Sequence, residues 1–260
     1  MRKPVVIIGI GEMAGVFARG FLRCGYPVYP ITREMEMAAE AQLLPEPELV
    51  LVAVAENDLD QTLAQIPEPW RDRLALLQNE LLPQAWQAHE LKNPTVISVW
   101  FEKKRGQDVK VLIPSPIHGP RAQLLANALN SLAIPCHIVT TPEELLHELV
   151  RKNLYIITTN VAGLEVGGAV SELWRQHESL TRQIAHEVMD IQQWLVQENL
   201  PRTRLIEGML EAFAGDPGHK CMGRSAPERL ERSIKQAAEA NLAVPTLKRI
   251  AANHLKKQYN

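Results

Sequence analysis

The chain has 260 residues, of which 46% are hydrophobic and 22% charged, a composition that excludes a disordered or low-complexity protein. Its net charge is −2, so whole-chain electrostatics give no reason to expect nucleic acid or an anionic membrane as a partner. No C-x-x-C pair occurs among the three cysteines, Cys24, Cys136 and Cys221, which fits a reducing compartment. No run approaches the roughly 18 apolar residues of a membrane span. We therefore expect a cytoplasmic protein.

The first half of the chain alternates short apolar runs with helical patterns, which predicts a parallel sheet built from βαβ units. Residues 4–8 form a continuous apolar run, as expected of a strand that is buried on both faces. A helix predicted over 13–24 follows it and ends at Gly25. The other strands predicted in this half are 28–32, 49–55, 74–78, 96–101, 110–113 and 136–139, and a second helix is predicted over 121–132.

The second half is helical, because Pro142 begins a helix and no convincing strand follows it. The change in pattern predicts two domains, residues 1–142 and 143–260. The predicted fold class is therefore an α/β Rossmann domain with a doubly wound parallel sheet, followed by an all-α domain. The helices predicted in the second half are 143–161 or beyond, 171–199, 228–242 and 246–257.

A G-x-G-x-x-A motif lies directly after the first predicted strand, at the start of the first predicted helix. Gly9 permits a tight turn, Gly11 lets the backbone approach a pyrophosphate, and Ala14 allows close packing of helix on strand. The motif predicts a dinucleotide site, and the alternative is a tight turn that binds no nucleotide. The cofactor-binding residues predicted here are Gly9, Ile10, Gly11, Glu12, Met13 and Ala14.

The tip of the second predicted strand indicates which dinucleotide is bound. An acidic residue there would bond the ribose 2′-hydroxyl of NAD, whereas this chain has Thr32 and Arg33. A guanidinium beside a hydroxyl suits a 2′-phosphate, so we predict NADP(H) as the cofactor. Glu34 acts against this choice because it could pair with Arg33 or turn to the ribose, and Arg33 could instead be a solvated surface residue.

Other catalytic and metal-binding patterns are missing from the sequence. The His-Glu pairs at 177–178 and 186–187 are too far apart along one helix to share an ion, so no metal site is predicted. The sequence contains no H-E-x-x-H, G-x-S-x-G or G-K-[ST] motif.

Three stretches together resemble the ketopantoate reductase family. They are the glycine motif with the strand tip, the sequence LLQNE at 76–80, and a series formed by IHGP at 117–120, LAIP at 132–135 and ELVRK at 148–152. The resemblance covers most of the chain, with gaps. It implies a 2-dehydropantoate 2-reductase-like protein whose helical domain is of the 6-phosphogluconate dehydrogenase type.

The resemblance also implies roles for individual residues. Lys152 matches the family lysine that serves as general acid, and Asn79 matches the asparagine where cofactor and substrate meet. Asn160 matches an asparagine of the substrate-binding helix, and Glu228 stands for the family's substrate-binding glutamate. Each residue also has a purely structural alternative: Lys152 could be a surface lysine, Asn79 an asparagine that ends a strand, and Glu228 a glutamate favoured by a helix dipole. The implied reaction is transfer of hydride from NADPH to a 2-keto acid or related small-molecule carbonyl, in a homodimer.

The chain also departs from the family pattern. Ile156 replaces an asparagine, Cys221 stands at the usual serine, and the family's T-E-I-D segment is missing. We therefore expect an altered substrate site. Two alternatives stay open: a non-catalytic NADP-binding sensor or interaction protein on the same fold, and a related hydroxyacid, imine or opine-type dehydrogenase.

Overall fold

A computed structural model describes residues 2–255, and the chain divides between Leu149 and Val150 into two compact units. The division lies inside a long helix, α6 (Pro142–Val166), shortly after the predicted domain boundary at residue 142. A capping box begins this helix, because the Glu144 backbone N–H donates to Thr141 Oγ1 and the Thr141 N–H donates to the Glu144 carboxylate.

The first unit contains the strands and the helices that precede α6. Its strands are β1 (Val5–Ile8), β2 (Val28–Ile31), β3 (Leu49–Val52), β4 (Leu74–Leu76), β5 (Thr95–Ile97), β6 (Phe101–Glu102), β7 (Lys110–Val111), β8 (Ser115–His118) and β9 (Cys136–Ile138). Its helices before α6 are α1 (Glu12–Arg23), α2 (Met37–Leu43), α3 (Leu59–Ala64), α4 (Pro83–Gln87) and α5 (Ala122–Asn130), with 3-10 turns at Glu56–Asp58 and Glu68–Arg73.

Seven strands form one sheet in the order β2-β1-β3-β4-β5-β8-β9. Strand β1 pairs in parallel with both β2 and β3, so these strands end at the same edge of the sheet. Strands β4 and β5 continue the parallel ladder. This arrangement confirms the predicted Rossmann-like α/β sheet, and it collects the loops after β1, β2, β3 and β4 at one edge, where nucleotides bind in such sheets.

Strand β8 is an addition to the predicted sheet, and it is antiparallel to β5. No strand is predicted at this position because Pro116 lies inside it, and proline is uncommon within a sheet. The strand predicted over 96–101 is in fact two strands. Strand β5 ends at Ile97, and Phe101 belongs to a separate two-stranded hairpin of β6 and β7.

The core of the first unit forms where α1 packs against the sheet and against α5. Phe17 and Phe21 are fully buried, and the Phe17 ring also contacts Phe101, with 6.2 Å between ring centroids. Gly20 lets α1 approach α5 closely, because a Cβ there would lie 2.5 Å from the Ala128 carbonyl oxygen.

Strand β2 forms one edge of the sheet and contains Pro30 at its centre. The carbonyl oxygens of Pro27 and Ile31 accept hydrogen bonds from Val5 in β1 and from Gly9 directly after it. Alternate residues of a strand point to opposite sides, so the backbone of Pro30 faces away from β1.

The second unit consists of helices within its described residues. They are the remainder of α6 with α7 (Val170–Val196), α8 (Arg202–Gly215), α9 (Ala226–Glu239) and α10 (Pro245–His254). Residues 153–163 of α6 are buried on every side, which makes α6 the central helix of this unit. Glu165 near its end accepts hydrogen bonds from Arg249 at 2.6 Å and from His254 at 2.8 Å, and these fasten α10 to α6.

The helical second half is confirmed, with one addition. Helix α8 lies between two recognised breaks in a stretch for which no element is predicted. The last predicted helix ends at residue 257, and its residues 256 and 257 lie outside the described part of the chain. Between residues 2 and 255, no helix is long and apolar enough to cross a membrane.

Candidate functional site

The turn between β1 and α1 requires glycine at its first motif position. Gly9 has φ +91°, and a Cβ there would lie 2.8 Å from the Ala53 carbonyl oxygen. The Gly9 N–H donates to the Ile31 carbonyl oxygen at 3.0 Å, so the turn is held between β2 and the end of β3. This requirement is structural and applies with or without a bound nucleotide.

Gly11, in contrast, faces open space. It is the N-cap residue of α1, with φ −73°, and a Cβ there would meet no atom within 4 Å. No side chain caps the helix N-terminus, whose first-turn N–H groups therefore have no side-chain acceptor. Ala14 is buried at the helix–sheet contact, as the motif predicts. An uncapped helix N-terminus beside open space fits a pyrophosphate.

A groove of about 720 Å³ runs beside this turn, along the exposed face of α1. Lys103, in the loop between β6 and β7, contributes to its wall together with Gly11 and Glu12. The Lys103 ammonium lies 3.6 Å from the Glu12 carboxylate. Glu12 would repel a phosphate at the turn, and the nearby Lys103 offsets that negative charge.

The tip of β2 places the predicted cofactor-selecting residues at the carboxyl edge of the sheet. Thr32 is half-buried, while the Arg33 side chain is 94% exposed. The Arg33 guanidinium lies 3.5 Å from the carboxylate of Asp58, which ends the 3-10 turn after β3. Asp58 is not among the predicted site residues, although acidic residues that follow a strand of a Rossmann sheet are a recognisable signal.

Asn79 lies after β4 at the same edge and is half-buried. The preceding residue, Gln78, is buried, and its Nε2 donates to the carbonyl oxygens of Val52 at 2.7 Å and Val54 at 3.3 Å. Gln78 therefore ties the loop after β4 to the end of β3 and fixes the position of Asn79. Gln78 is not among the predicted site residues, although a glutamine directly after an apolar run is the signal for such a role.

Lys152 and Arg151 are adjacent on α6 but have different surroundings. The Arg151 side chain is nearly buried and donates to the Gly208 carbonyl oxygen at 3.0 Å and to Glu211 at 2.8 Å, which ties α6 to α8. Lys152 is half-buried, and its Nζ lies 5.9 Å from the centre of the Tyr155 ring. Arg151 thus holds the helix in place, while Lys152 carries a partly desolvated ammonium group.

Farther along α6, Asn160 is buried and hydrogen-bonded within the second unit. Its Oδ1 accepts a hydrogen bond from Arg229 Nη1 at 3.0 Å, and its Nδ2 donates to the Cys221 carbonyl oxygen at 3.5 Å. Ile156, one turn earlier, is buried with its neighbours. The structure therefore places Lys152, Ile156 and Asn160 on one continuous helix.

Glu228 has different surroundings from Asn160. It is exposed in the first turn of α9, where the helix dipole favours an acidic residue, and the next residue, Arg229, is buried against Asn160. Arg229 is not among the predicted site residues, because the resemblance in this segment needs a gap.

Cys221, which the resemblance places at the family's usual serine, is buried. Burial, with a smaller contribution from the Glu172 carboxylate, raises the pKa of its thiol to about 11. The segment after it packs tightly on α6, because a Cβ at Gly163 would lie 2.8 Å from the Met222 backbone nitrogen. Cys221 is therefore an inert packing residue at neutral pH. Across residues 2–255, no group of three or more His, Cys, Asp or Glu side chains is placed to hold a metal ion.

No family model and no curated protein sequence matches this chain. Several solved structures do. A 2-dehydropantoate 2-reductase from Methylococcus capsulatus has a TM-score of 0.71 and 15% identity, over 98% of this chain and 96% of that one. A D-mandelate dehydrogenase in complex with NADH has a TM-score of 0.67 and 14% identity, over 98% of both chains.

A dimeric ketopantoate reductase from Staphylococcus aureus has a TM-score of 0.64 and 16% identity, over 96% of both chains. These likenesses extend over nearly the whole length of this chain, at identities that establish the fold alone. They confirm the predicted resemblance at that level: the chain has the fold of the ketopantoate reductases.

Proposed function

We propose that this chain is a reductase that uses a nicotinamide cofactor, with NADPH preferred, and transfers hydride to a 2-keto acid or related carbonyl. The observation that carries the proposal is the open, uncapped turn at Gly11, in a chain whose whole length has the fold of keto-acid oxidoreductases. A turn of this shape needs glycine only at its first position, so the open second glycine favours a bound phosphate over a purely structural turn.

The residues that would hold the cofactor lie at the carboxyl edge of the sheet. The backbone of the segment 9–14 would receive the pyrophosphate at the N-terminus of α1. Arg33, beside Thr32, would receive the 2′-phosphate, and Asn79 would orient the nicotinamide end through an amide that both donates and accepts. When bound, the reduced nicotinamide supplies the hydride.

Lys152 would act as the general acid. As the carbonyl of the substrate is reduced, negative charge develops on its oxygen, and an ammonium group can stabilise that charge and donate a proton to it.

Asn160 and Glu228 remain our proposed substrate-binding residues. Because the Asn160 amide is bonded to Arg229, Asn160 would contact the substrate as part of a pair that carries a positive charge. A guanidinium suits the carboxylate of a 2-keto acid. Ile156 presents an apolar side chain where the family has an amide, which favours a substrate different from ketopantoate.

A second candidate function is that of a non-catalytic NADP-binding sensor or interaction protein. The observation that favours it is the use of Asn160 in hydrogen bonds internal to the helical unit, next to the apolar Ile156. For either function we propose a homodimer, which is the assembly named for the ketopantoate reductase of Staphylococcus aureus.

The experiment is a titration of the purified protein with NADPH and NADH, followed by a screen for cofactor oxidation with a panel of 2-keto acids that includes ketopantoate and phenylglyoxylate. Quenching of tryptophan emission reports binding. We expect tighter binding of NADPH and oxidation with at least one keto acid. Binding without turnover on any carbonyl would favour the sensor, and binding of neither nucleotide would refute both candidate functions.

A further inference from the structure

An acidic side chain lies beside the arginine that we expect to select the cofactor. The Asp58 carboxylate is 3.5 Å from the Arg33 guanidinium, and the two side chains are 50% and 94% exposed. They come from different strand ends, since Arg33 follows β2 and Asp58 ends the 3-10 turn after β3. The sheet order places β2 and β3 on either side of β1. The pair therefore spans the carboxyl end of the strand that leads into the glycine turn.

The backbone of Asp58 is fixed while Arg33 is the adaptable partner. The Asp58 N–H donates to the Ala55 carbonyl oxygen at 3.0 Å, and the Asp58 carbonyl oxygen accepts a hydrogen bond from the Thr62 hydroxyl at 2.7 Å. An arginine side chain exposed to this extent can adopt several rotamers at small cost. Asp58 is thus held at this edge of the sheet more firmly than Arg33.

The two cofactors would meet this pair differently. A ribose with two hydroxyls can donate a hydrogen bond to a carboxylate, which is the usual recognition of NAD by an acidic residue near the second strand. A 2′-phosphate carries nearly two negative charges, so it would be attracted by Arg33 and repelled by Asp58. The same carboxylate also competes with the phosphate for the guanidinium.

We propose that Asp58 is a specificity-determining residue for the cofactor, which weakens the NADPH preference conferred by Arg33 and admits NADH to the same site. This inference rests on the proposed function, because it assigns a role at the nucleotide site. It goes beyond the choice of NADPH by naming the residue that limits that choice.

The test measures dissociation constants for NADPH and NADH by tryptophan quenching, at fixed ionic strength, without any carbonyl substrate. The variants are Asp58→Asn and Asp58→Ala, and the matched control is Asp60→Asn. Asp60 is a neighbouring acid that is 90% exposed and pairs with His89. The control removes the same charge close by in the chain but leaves the Arg33 pair intact. Thermal unfolding of each variant checks that the fold is retained.

We expect Asp58→Asn to raise the NADPH affinity relative to NADH by roughly tenfold, the ratio that corresponds to about 1.4 kcal/mol. Asp58→Ala should show the same shift in the ratio together with weaker NADH binding, while Asp60→Asn should change the ratio less than about twofold. If both nucleotides bind and the ratio is unmoved by either Asp58 variant, the inference is wrong and the proposed function stands. If the parent protein binds neither nucleotide, both are wrong.

Discussion

The glycine turn of the first unit and the central helix of the second unit use their candidate residues in opposite ways. At the turn, Gly11 and Arg33 face open space or solvent, and the groups that would contact a ligand are backbone amides and an exposed guanidinium. On α6, Arg151 and Asn160 are buried and hydrogen-bonded to residues of other helices. The polar groups of the turn are thus left exposed, whereas much of the polarity of α6 serves the fold.

A short sequence motif predicts function best where the structure it describes is local. A turn is a local structure, so neighbouring residues determine both its conformation and its exposed N–H groups. The role of a polar side chain on a buried helix depends on groups that are distant in the sequence. Lys152 is the residue on which the comparison depends, because it is half-buried on α6 yet is proposed to act in the reaction.

The largest effect is expected from Lys152→Ala. If Lys152 is the general acid, the turnover number of the proposed reductase should fall by a factor of about 10² to 10⁴, with nucleotide binding unchanged. Lys235→Ala, at an exposed position of α9 in the same unit, is the matched control and should leave turnover unchanged. Steady-state kinetics with the substrate found in the screen provide the measurement. An unchanged turnover number in Lys152→Ala would mean that Lys152 has a structural role, as Arg151 has, and is not the general acid.

The next largest effect separates the two glycines of the turn. Gly9→Ala places a Cβ 2.8 Å from a backbone oxygen at positive φ, so we expect a loss of about 2 to 4 kcal/mol in the free energy of unfolding. Gly11→Ala meets no neighbour and should change that free energy by less than about 0.5 kcal/mol.

Nucleotide titration completes this test, because the Gly11→Ala methyl group would occupy the open space proposed for the pyrophosphate. We expect weaker binding of both NADPH and NADH in this stable variant. Undiminished affinity would mean that the space beside Gly11 is not the phosphate site.

A smaller effect distinguishes two predicted substrate residues. Asn160→Ala leaves Arg229 without one of its acceptors in a buried position, and should lower the free energy of unfolding by about 1 to 3 kcal/mol. Glu228→Ala removes an exposed side chain and should cost less than about 1 kcal/mol, through the helix dipole alone. Urea unfolding of both variants measures the difference. Equal free energies of unfolding for Asn160→Ala and Glu228→Ala would mean that the buried hydrogen bond of Asn160 does not stabilise the fold.

The smallest effect concerns acid stability of the helical unit. The hydrogen bond from Arg249 is the main cause that lowers the pKa of Glu165, with a smaller contribution from His254. A lowered carboxyl pKa stabilises the fold above the pKa of the unfolded chain, about 4.3, and this stabilisation is lost as the pH falls. Arg249→Gln should therefore reduce the acid sensitivity, by less than about 1 kcal/mol between pH 6 and 3. Melting temperatures over this pH range, with Arg182→Gln as control, would show it. Parallel curves for Arg249→Gln and the parent would refute the assignment.

The parallel strands β1 to β5 follow from the sequence, because their apolar runs are short and separated by helical patterns. Strand β8 and helix α8 are not predicted. Pro116 argues against a strand when the sequence is considered alone. The strand is stabilised by pairing with β5 and β9, which are distant in the chain. For α8 the signal is present in the sequence but the prediction overlooks it, because apolar residues recur at helical spacing between the two breaks, at Leu205, Ile206, Met209, Ala212 and Phe213.

The same limit applies to the candidate site. The glycine turn and Arg33 are predicted from local sequence, and the structure places them at one edge of the sheet. Asp58 and Arg229 are not predicted, because each becomes relevant only through a partner brought to it by the fold, Arg33 in one case and Asn160 in the other. The alignment of this segment with the family also decides which residue is predicted, because Glu228 and Arg229 are adjacent but only Arg229 is buried.

Pro30 has a further consequence for how copies of this chain can meet. Its backbone faces outward from the edge strand β2, and proline has no N–H, so an incoming strand would find a missing donor at the centre of this edge. Extension of the sheet from one molecule to the next, which is the first step of β-aggregation, is disfavoured there. Pairing of β2 strands between two copies is therefore disfavoured, and a homodimer of this chain would form through other contacts.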